Sequence, residues 1–233
     1  MENDPRTYVE HENKLLKIGV GSSAGTAVGL IKAVMRFHGI TLSEHELFNT
    51  AFAAHRRAAG GLGSGADIAT AAAGQAILFT SEILKITPLS IPENWYFVVG
   101  FSGTSASTPR LIEAFNIARE KNPLAIKNIL DQIETVVQQL AQLPPADQSM
   151  RLINKNNDLL NQLSQACDGV LETPPLRQMI QLAQDCGAAA KFSGAGGGDC
   201  VIALCDSVDM KQRVEHAWQN AGFYPVTQAL AIN

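Results

Sequence analysis

Basic charge is scarce in this chain. Lys plus Arg total 18 against 22 for Asp plus Glu, a formal net charge of −4. A dedicated nucleic-acid binder carries a positive excess to neutralise phosphates, so no nucleic-acid partner is expected. An anionic ligand would have to be held by local donors, not by the field of the whole protein. Long apolar runs are missing too. None approaches the roughly 18 residues that read as a bilayer span, and no membrane partner is expected. The stretch from Met1 to Lys14 is polar and charged and reads as neither a signal peptide nor a lipidation site. Cys167, Cys186, Cys200 and Cys205 form no Cys-x-x-Cys pair, and no histidine lies at ligand spacing from them. Buried thiols in a reducing, cytoplasmic compartment are expected in place of disulfides or a zinc site. Internal repeats, low-complexity tracts and long linkers are also lacking.

What is present is core-forming material. Apolar residues make up 46% of the 233 residues and charged residues 17%. That fits one large domain or two small ones. Residues 1–16 read as charged and irregular. Apolar positions Ala24, Ala27, Val28, Ile31, Val34, Met35 and Phe37 recur at steps of mostly three and four, which predicts an amphipathic helix over 23–38 stopped by Gly39. Ser43 and Glu46 have capping-box spacing and open a helix to about Arg57. An Ala-rich helical turn and a strand near 75–80 follow, and Pro88 to Pro92 reads as a boundary. Trp95 to Phe101 reads as a buried strand. Helical periodicity covers 109–121, 123–142, 147–168 and 175–187, with Pro144-Pro145 as a break. The apolar run Cys200–Cys205 reads as a strand, 208–221 as a helix and 223–229 as a last strand. A few strands covered by many helices define an α+β fold.

Three glycine-rich segments carry the chemistry. Gly19-Val20-Gly21-Ser22-Ser23-Ala24-Gly25 runs directly into a helix. A helix start offers free N–H groups and the positive end of the dipole, and glycines admit an anion close to the backbone. Its spacing is neither a Walker A loop nor a Rossmann fingerprint. Taken alone, it is a capping device as readily as a phosphate cradle. The second segment, His55 to Asp67, sets a carboxylate beside a glycine loop. Asp67 there is a base, a metal-side acceptor or simply a helix cap. The third, Ser193-Gly194-Ala195-Gly196-Gly197-Gly198-Asp199-Cys200, has more glycine than a hairpin needs. Backbone there must come close to a ligand or to another segment. A hydroxyl-rich loop, Gly100 to Thr108, fits an oxygen-rich ligand or ordinary turn and cap roles.

In this order, the segments resemble the GHMP kinase superfamily, and within it the phosphomevalonate kinase family. Residues 55–67 resemble that family's His-x-x-Ala-Gln-Gly-Lys-Ile-Gly-Ser-Gly-Phe-Asp. Residues 100–108 resemble its Gly-Trp-Thr-Gly-x-x-Ala-Ser-Thr. Phe192 to Leu204 resembles its Ser-Ser-Gly-Ala-Gly-Gly-Gly-Asp-Cys-Gly-Ile-Ala-Leu almost throughout. The resemblance spans about 15–230. It implies a GHMP two-domain fold, with a truncated ribosomal-protein-S5-like part over 1–94 and a ferredoxin-like domain over 95–233. The implied reaction moves the γ-phosphoryl of ATP, with Mg²⁺, onto 5-phosphomevalonate in the mevalonate route to isoprenoids.

By the same resemblance, Gly19, Gly21, Ser22, Ser23 and Ala24 wrap the ATP phosphates, and Ser23 touches Mg²⁺. Asp67 is the catalytic or metal-side aspartate. Ser64, Gly65, Ser105, Ala106, Ser107, Gly194, Ala195, Gly196 and Gly197 line the acceptor side. The two anions call for cations, and Arg56, Arg57 and Lys191 are nearest in sequence. The chain departs from the pattern at Ala59, Gly61 and Ala66, which stand where the family has Gln, Lys and Phe. Family members also carry a substantial segment ahead of the first loop, with strands, a lysine motif and much of the adenine pocket. The alternatives are thus a catalytically impaired binding fragment, or half of a split kinase with a separate N-terminal piece. Self-association is a further expectation.

Overall fold

A computed structural model describes residues 7–11, 14–58 and 63–226. Its contacts divide the chain into two compact units. The first holds the described residues of Val20–Ile91. The second holds those of Asp4–Gly19 and Pro92–Asn233. The division thus falls between Gly19 and Val20, inside the first glycine segment.

The second unit begins with a correction. Residues 1–16 were expected to be irregular, yet Tyr8–His11 (β1) and Lys14–Lys17 (β2) pair antiparallel. Ile18 N–H extends the pairing by donating to Thr7 O at 2.8 Å. Cross-strand hydrogen bonds hold this ladder, so it needs no long apolar pattern and leaves none to read.

The first unit is mainly helical. Ser22–Phe37 forms α1 and Glu44–Ala58 forms α2. Gly39 adopts φ 71° just past the end of α1, as a helix stop does. At α2 the capping box is complete. Ser43 N–H and Oγ–H donate to Glu46 Oε2 at 2.8 and 2.7 Å, and Glu46 N–H returns to Ser43 Oγ at 3.3 Å. Hydrogen bonds from Ser43 hold the Glu46 carboxyl below its ordinary range. Helix α3 is Ala66–Ala73, and strands β3 (Ile77–Thr80) and β4 (Lys85–Pro88) form a two-stranded antiparallel sheet. Ala24 and Val28 of α1, Leu47, Phe48 and Ala51 of α2, and Ile68 and Ala69 of α3 make the core.

The rest of the second unit is built on an antiparallel sheet. Its strands are β5 (Tyr96–Phe101), β6 (Ala189–Phe192), β7 (Cys200–Cys205) and β8 (Tyr224–Pro225), in the order β6-β7-β5-β8. Helices α4 (Thr108–Lys121), α5 (Pro123–Leu140), α6 (Ala146–Ala166), α7 (Pro174–Asp185) and α8 (Val208–Asn220) complete it. Side chains alternate between strand faces. Val98, Ala190, Phe192, Val201 and Ala203 accordingly share one face and pack with Leu111, Ile126, Leu163, Met179 and Trp218 from the helices. The 227–229 part of the expected last strand lies outside the described residues.

Register positions the loops. Phe101 at the end of β5 pairs with Cys200 at the start of β7, and Phe192 at the end of β6 lies opposite Val201. The hydroxyl-rich loop after β5 and the glycine loop between β6 and β7 therefore leave the same edge of the sheet. Among the described residues no helix is long and apolar enough to cross a membrane. Cys167, Cys186, Cys200 and Cys205 are free thiols.

Candidate active site

In the first unit, two helix starts lie side by side. Gly21 is the N-cap of α1, with φ 71° and no side-chain cap. The first N–H groups of a helix have no partner within it. Here no cap side chain takes them and no acidic residue stands in the first turn. The α2 and α3 starts differ, since they carry Glu44 and Glu46, and Asp67. The positive end of the α1 dipole is thus left open to an outside anion. Ala24 is fully buried and anchors the turn, while Ser23 is exposed. Ser22 Oγ is buried with no hydrogen-bond partner.

Asp67 sits in the first turn of α3, exposed, and its Oδ1 accepts from Ile68 N–H at 2.9 Å. It is not the cap, because Gly65, at φ 86°, holds that position. A Cβ placed on Gly21 would lie 3.7 Å from Asp67 Cβ, so the carboxylate stands beside the α1 start. Ser64 Oγ accepts from Ala66 N–H at 3.3 Å. Gly65 packs against Phe52, whose ring would be 2.5 Å from an added Cβ. Arg56 and Arg57 are exposed in the last turn of α2, and the Arg56 guanidinium lies 5.8 Å from the centre of the Phe52 ring. Ala59 and Gly61, the positions of two departures from the family pattern, lie outside the described residues.

In the second unit, the hydroxyl loop and the glycine loop are laced together. Ser102 N–H donates to Asp199 O at 2.8 Å, and Asp199 N–H donates to Thr104 O at 2.7 Å. Gly198 lies so close that a Cβ there would be 2.7 Å from Thr104 O and 3.2 Å from Ala106 N. The excess of glycine is explained at this position, because only a hydrogen fits. Gly197 N–H is committed to Leu171 O at 2.7 Å, and Gly196 packs on Phe192. Gly194 and Ala195 form the exposed part of the loop. Across from them, Ser105 Oγ–H donates to Lys17 O at 3.3 Å, Ala106 is half-buried, and Ser107 is an exposed N-cap of α4 that makes no side-chain cap bond. The Ser107 hydroxyl is thus an exposed group with no cap bond to make.

Two residues here gain features that the sequence did not assign. Gly19 lies against Asp199, where a Cβ would approach within 2.7 Å of Asp199 Cβ and Oδ1. Lys191 Nζ donates to Phe192 O at 2.7 Å, and burial pulls its ammonium down to a pKa of about 8. A run of glycines ending in Asp was the only available signal for Asp199.

A Mg²⁺–nucleotide fits the residues present. Magnesium favours one or two carboxylates together with phosphate oxygens and water. Exposed Ser23 and Asp67 can supply oxygen ligands, and the α1 start can supply N–H donors to phosphates. Among the described residues, no cluster of three or more His, Cys, Asp or Glu competes as a metal site.

Comparisons with known proteins identify the family. The profile "GHMP kinases N terminal domain" matches residues 8–75, and "GHMP kinases C terminal" matches residues 140–224. Between them they cover more than half of the chain, which belongs to the GHMP kinases. It is 34% identical over 197 residues to a mevalonate kinase of Thermococcus gammatolerans, covering 80% of this chain and 55% of that protein. It is 27% identical over 244 residues to a phosphomevalonate kinase of Streptomyces sp. strain CL190, covering 93% of this chain and 65% of that one. A solved Streptococcus pneumoniae phosphomevalonate kinase, in complex with phosphomevalonate and AMPPNP, superposes with a TM-score of 0.77 at 26% identity, over 93% of this chain and 69% of that chain. The chain thus spans less than two thirds of the length of these two curated relatives. The GHMP two-domain fold is as the resemblance implied. The relatives divide between two acceptors, so the match establishes the family and not the narrower phosphomevalonate kinase assignment.

Proposed function

We propose that this chain transfers the γ-phosphoryl of ATP to 5-phosphomevalonate, giving the diphosphate. The observation that carries the reading is the uncapped, acid-free start of α1 with the Asp67 carboxylate beside it. Phosphoryl transfer asks a protein mainly for positioning and for neutralisation of phosphate charge. In this reading the N–H groups of Gly21 to Ala24 grip phosphate oxygens, and Gly19 sets the entry to that turn. Ser23 and Asp67 would hold Mg²⁺, and the ion would supply neutralisation of phosphate charge. Ser64 and Gly65 support the α3 start.

Ser105, Ala106 and Ser107, with Gly194 and Ala195, contact the acceptor, while Gly196 and Gly197 shape that loop from behind. A phosphate monoester has its second pKa near about 6 and is largely dianionic at neutral pH. It needs little deprotonation, so Asp67 orients metal or acceptor and is not required as a base. The choice of phosphomevalonate over mevalonate is supported by the Phe192–Leu204 motif and by the Streptomyces and Streptococcus relatives. Small-molecule phosphates are the partners in this reading, with a cytoplasmic location.

ADP release with Mg-ATP tests this reading. Release with 5-phosphomevalonate at least tenfold above that with mevalonate is expected. Preference for mevalonate would overturn the acceptor assignment. Nucleotide binding without release would overturn the phosphoryl-transfer activity of this chain.

A further inference from the structure

A cavity of about 400 Å³ lies within the second unit, lined by α6, α7 and the connection between them. That is the size of a small-molecule site, which runs to about 300–1,000 Å³. None of its lining residues belongs to the nucleotide or acceptor sets assigned above. Helices that meet on a shared core ordinarily turn apolar side chains to each other. Here Ile180, 4% exposed, is the one apolar residue among the described lining. On α6, Asn157 and Asn161 stand one turn apart on one face. On α7, Arg177, Gln181 and Gln184 share a face at steps of four and three. Glu172, buried in the connection, is fully partnered. Its Oε2 accepts from Asn161 Nδ2–H at 2.7 Å, its Oε1 accepts from Arg177 Nε–H at 3.1 Å, and its N–H donates to Ser164 Oγ at 2.8 Å. The Arg177 cation is thus spent on Glu172. Asn157 is different. It is 8% exposed, and its Oδ1 is buried with no hydrogen-bond partner. An unmade bond at a buried acceptor costs stability, so such an atom calls for a donor from outside. Gln181 and Gln184 donate Nε2–H to Asp185 Oδ1 at 2.8 Å and to Asn154 Oδ1 at 3.3 Å, which leaves their carbonyl oxygens on offer. Asp158 is exposed, and among the described residues no ion pair forms at it. Acceptors therefore outnumber donors, and two carboxylates against one guanidinium leave the lining net negative.

We propose that this cavity binds a short aliphatic polyamine. Ammonium groups are donors only, and they match a wall of oxygens. One ammonium group bonds Asn157 Oδ1 and pairs with Asp158. Arg177 and Gln184 are seven residues apart on α7, about 10 Å at the helical rise, so a second ammonium group reaches the glutamine oxygens. The methylenes between the two lie on Ile180. An anion would meet Asp158 and the unpaired oxygen. A divalent metal ion wants carboxylate ligands, and Glu172 is already engaged. The site lies in one unit and does not depend on the phosphoryl-transfer reading.

The test is calorimetric titration of spermidine into the whole chain at low salt and without nucleotide, with urea unfolding measured on each variant. Wild type should bind saturably with a Kd below about 1 mM. Asn157→Leu removes the unpaired acceptor at similar volume. It should unfold at no lower urea than wild type, yet bind spermidine at least tenfold more weakly. A purely structural Asn157 would give the reverse, a lower urea midpoint with unchanged affinity, and that result would overturn the proposal. Asp158→Lys reverses an exposed charge and should also lose at least tenfold. If Asn157→Leu does not fold, Asp158→Lys decides the matter. Wild-type affinity in Asp158→Lys would mean that the amine binds elsewhere on an acidic chain, and would overturn the proposal. So would displacement of spermidine by equimolar Mg²⁺, which would mark an inorganic cation site. Absence of binding by wild type would overturn it outright, leaving the cavity to water.

Discussion

Asp67 and Lys191 show what single residues contribute. Asp67 is exposed beside the α1 start, with one oxygen taken by Ile68 N–H. Its remaining oxygen is free to reach metal or acceptor. Asp67→Asn should reduce turnover at least a hundredfold while shifting Mg-ATP affinity by less than about threefold, because the N–H groups of α1 hold the phosphates. Equal losses in steady-state kinetics and calorimetry would contradict that role. Lys191 acts on stability instead. Burial depresses its folded-state pKa from 10.5 to about 8. A depressed pKa contributes stability that is fully present above pH 10.5 and is lost as pH falls through about 8. Unfolding free energy should therefore rise from about pH 8 to 10.5 in wild type. Lys191→Met should flatten that rise and be more stable at pH 7 by about 2 kcal/mol. Urea titrations across the range check both the slope and the sign.

At the scale of elements, long helices were legible and short paired strands were not. The expected 123–142 and 147–168 helices appear as α5 and α6, and Ser43–Glu46 caps α2 as its spacing required. β1, β2, β4 and β6 were missed, each only four residues long and fixed by its partner across the ladder. Helix α1 was found, yet its apolar pattern did not say which face is buried. Ala24 and Val28 enter the core, whereas Val34 is 46% exposed and Phe37 is 87% exposed. The glycine-rich sites were visible as composition, but strand register makes the two loops of the second unit meet. The sequence does not print that register. Packing of β5 gives a sharper test. Trp218 is fully buried, and its Nε1–H donates to Met179 O at 2.8 Å. A Cβ on Gly100 would lie 2.5 Å from Trp218 Cζ3 and 2.7 Å from Met179 Cε. Gly100→Ala should cost about 1–3 kcal/mol through overpacking, read as a lower urea midpoint at unchanged m-value.

At the scale of the molecule, a chain of net charge −4 is proposed to bind a polyanion. Local donors resolve the conflict, since backbone N–H groups at one uncapped helix start need no basic surface. The most direct measurement is calorimetric titration of Mg-ATP into wild type and Ser23→Asp. An acidic residue in the first turn complements the helix dipole, so Ser23→Asp should be at least as stable as wild type. The same charge repels phosphate, so binding should be saturable in wild type, with a Kd below about 1 mM, and lost in the variant. No binding by wild type, or equal affinity in both proteins, would contradict the account.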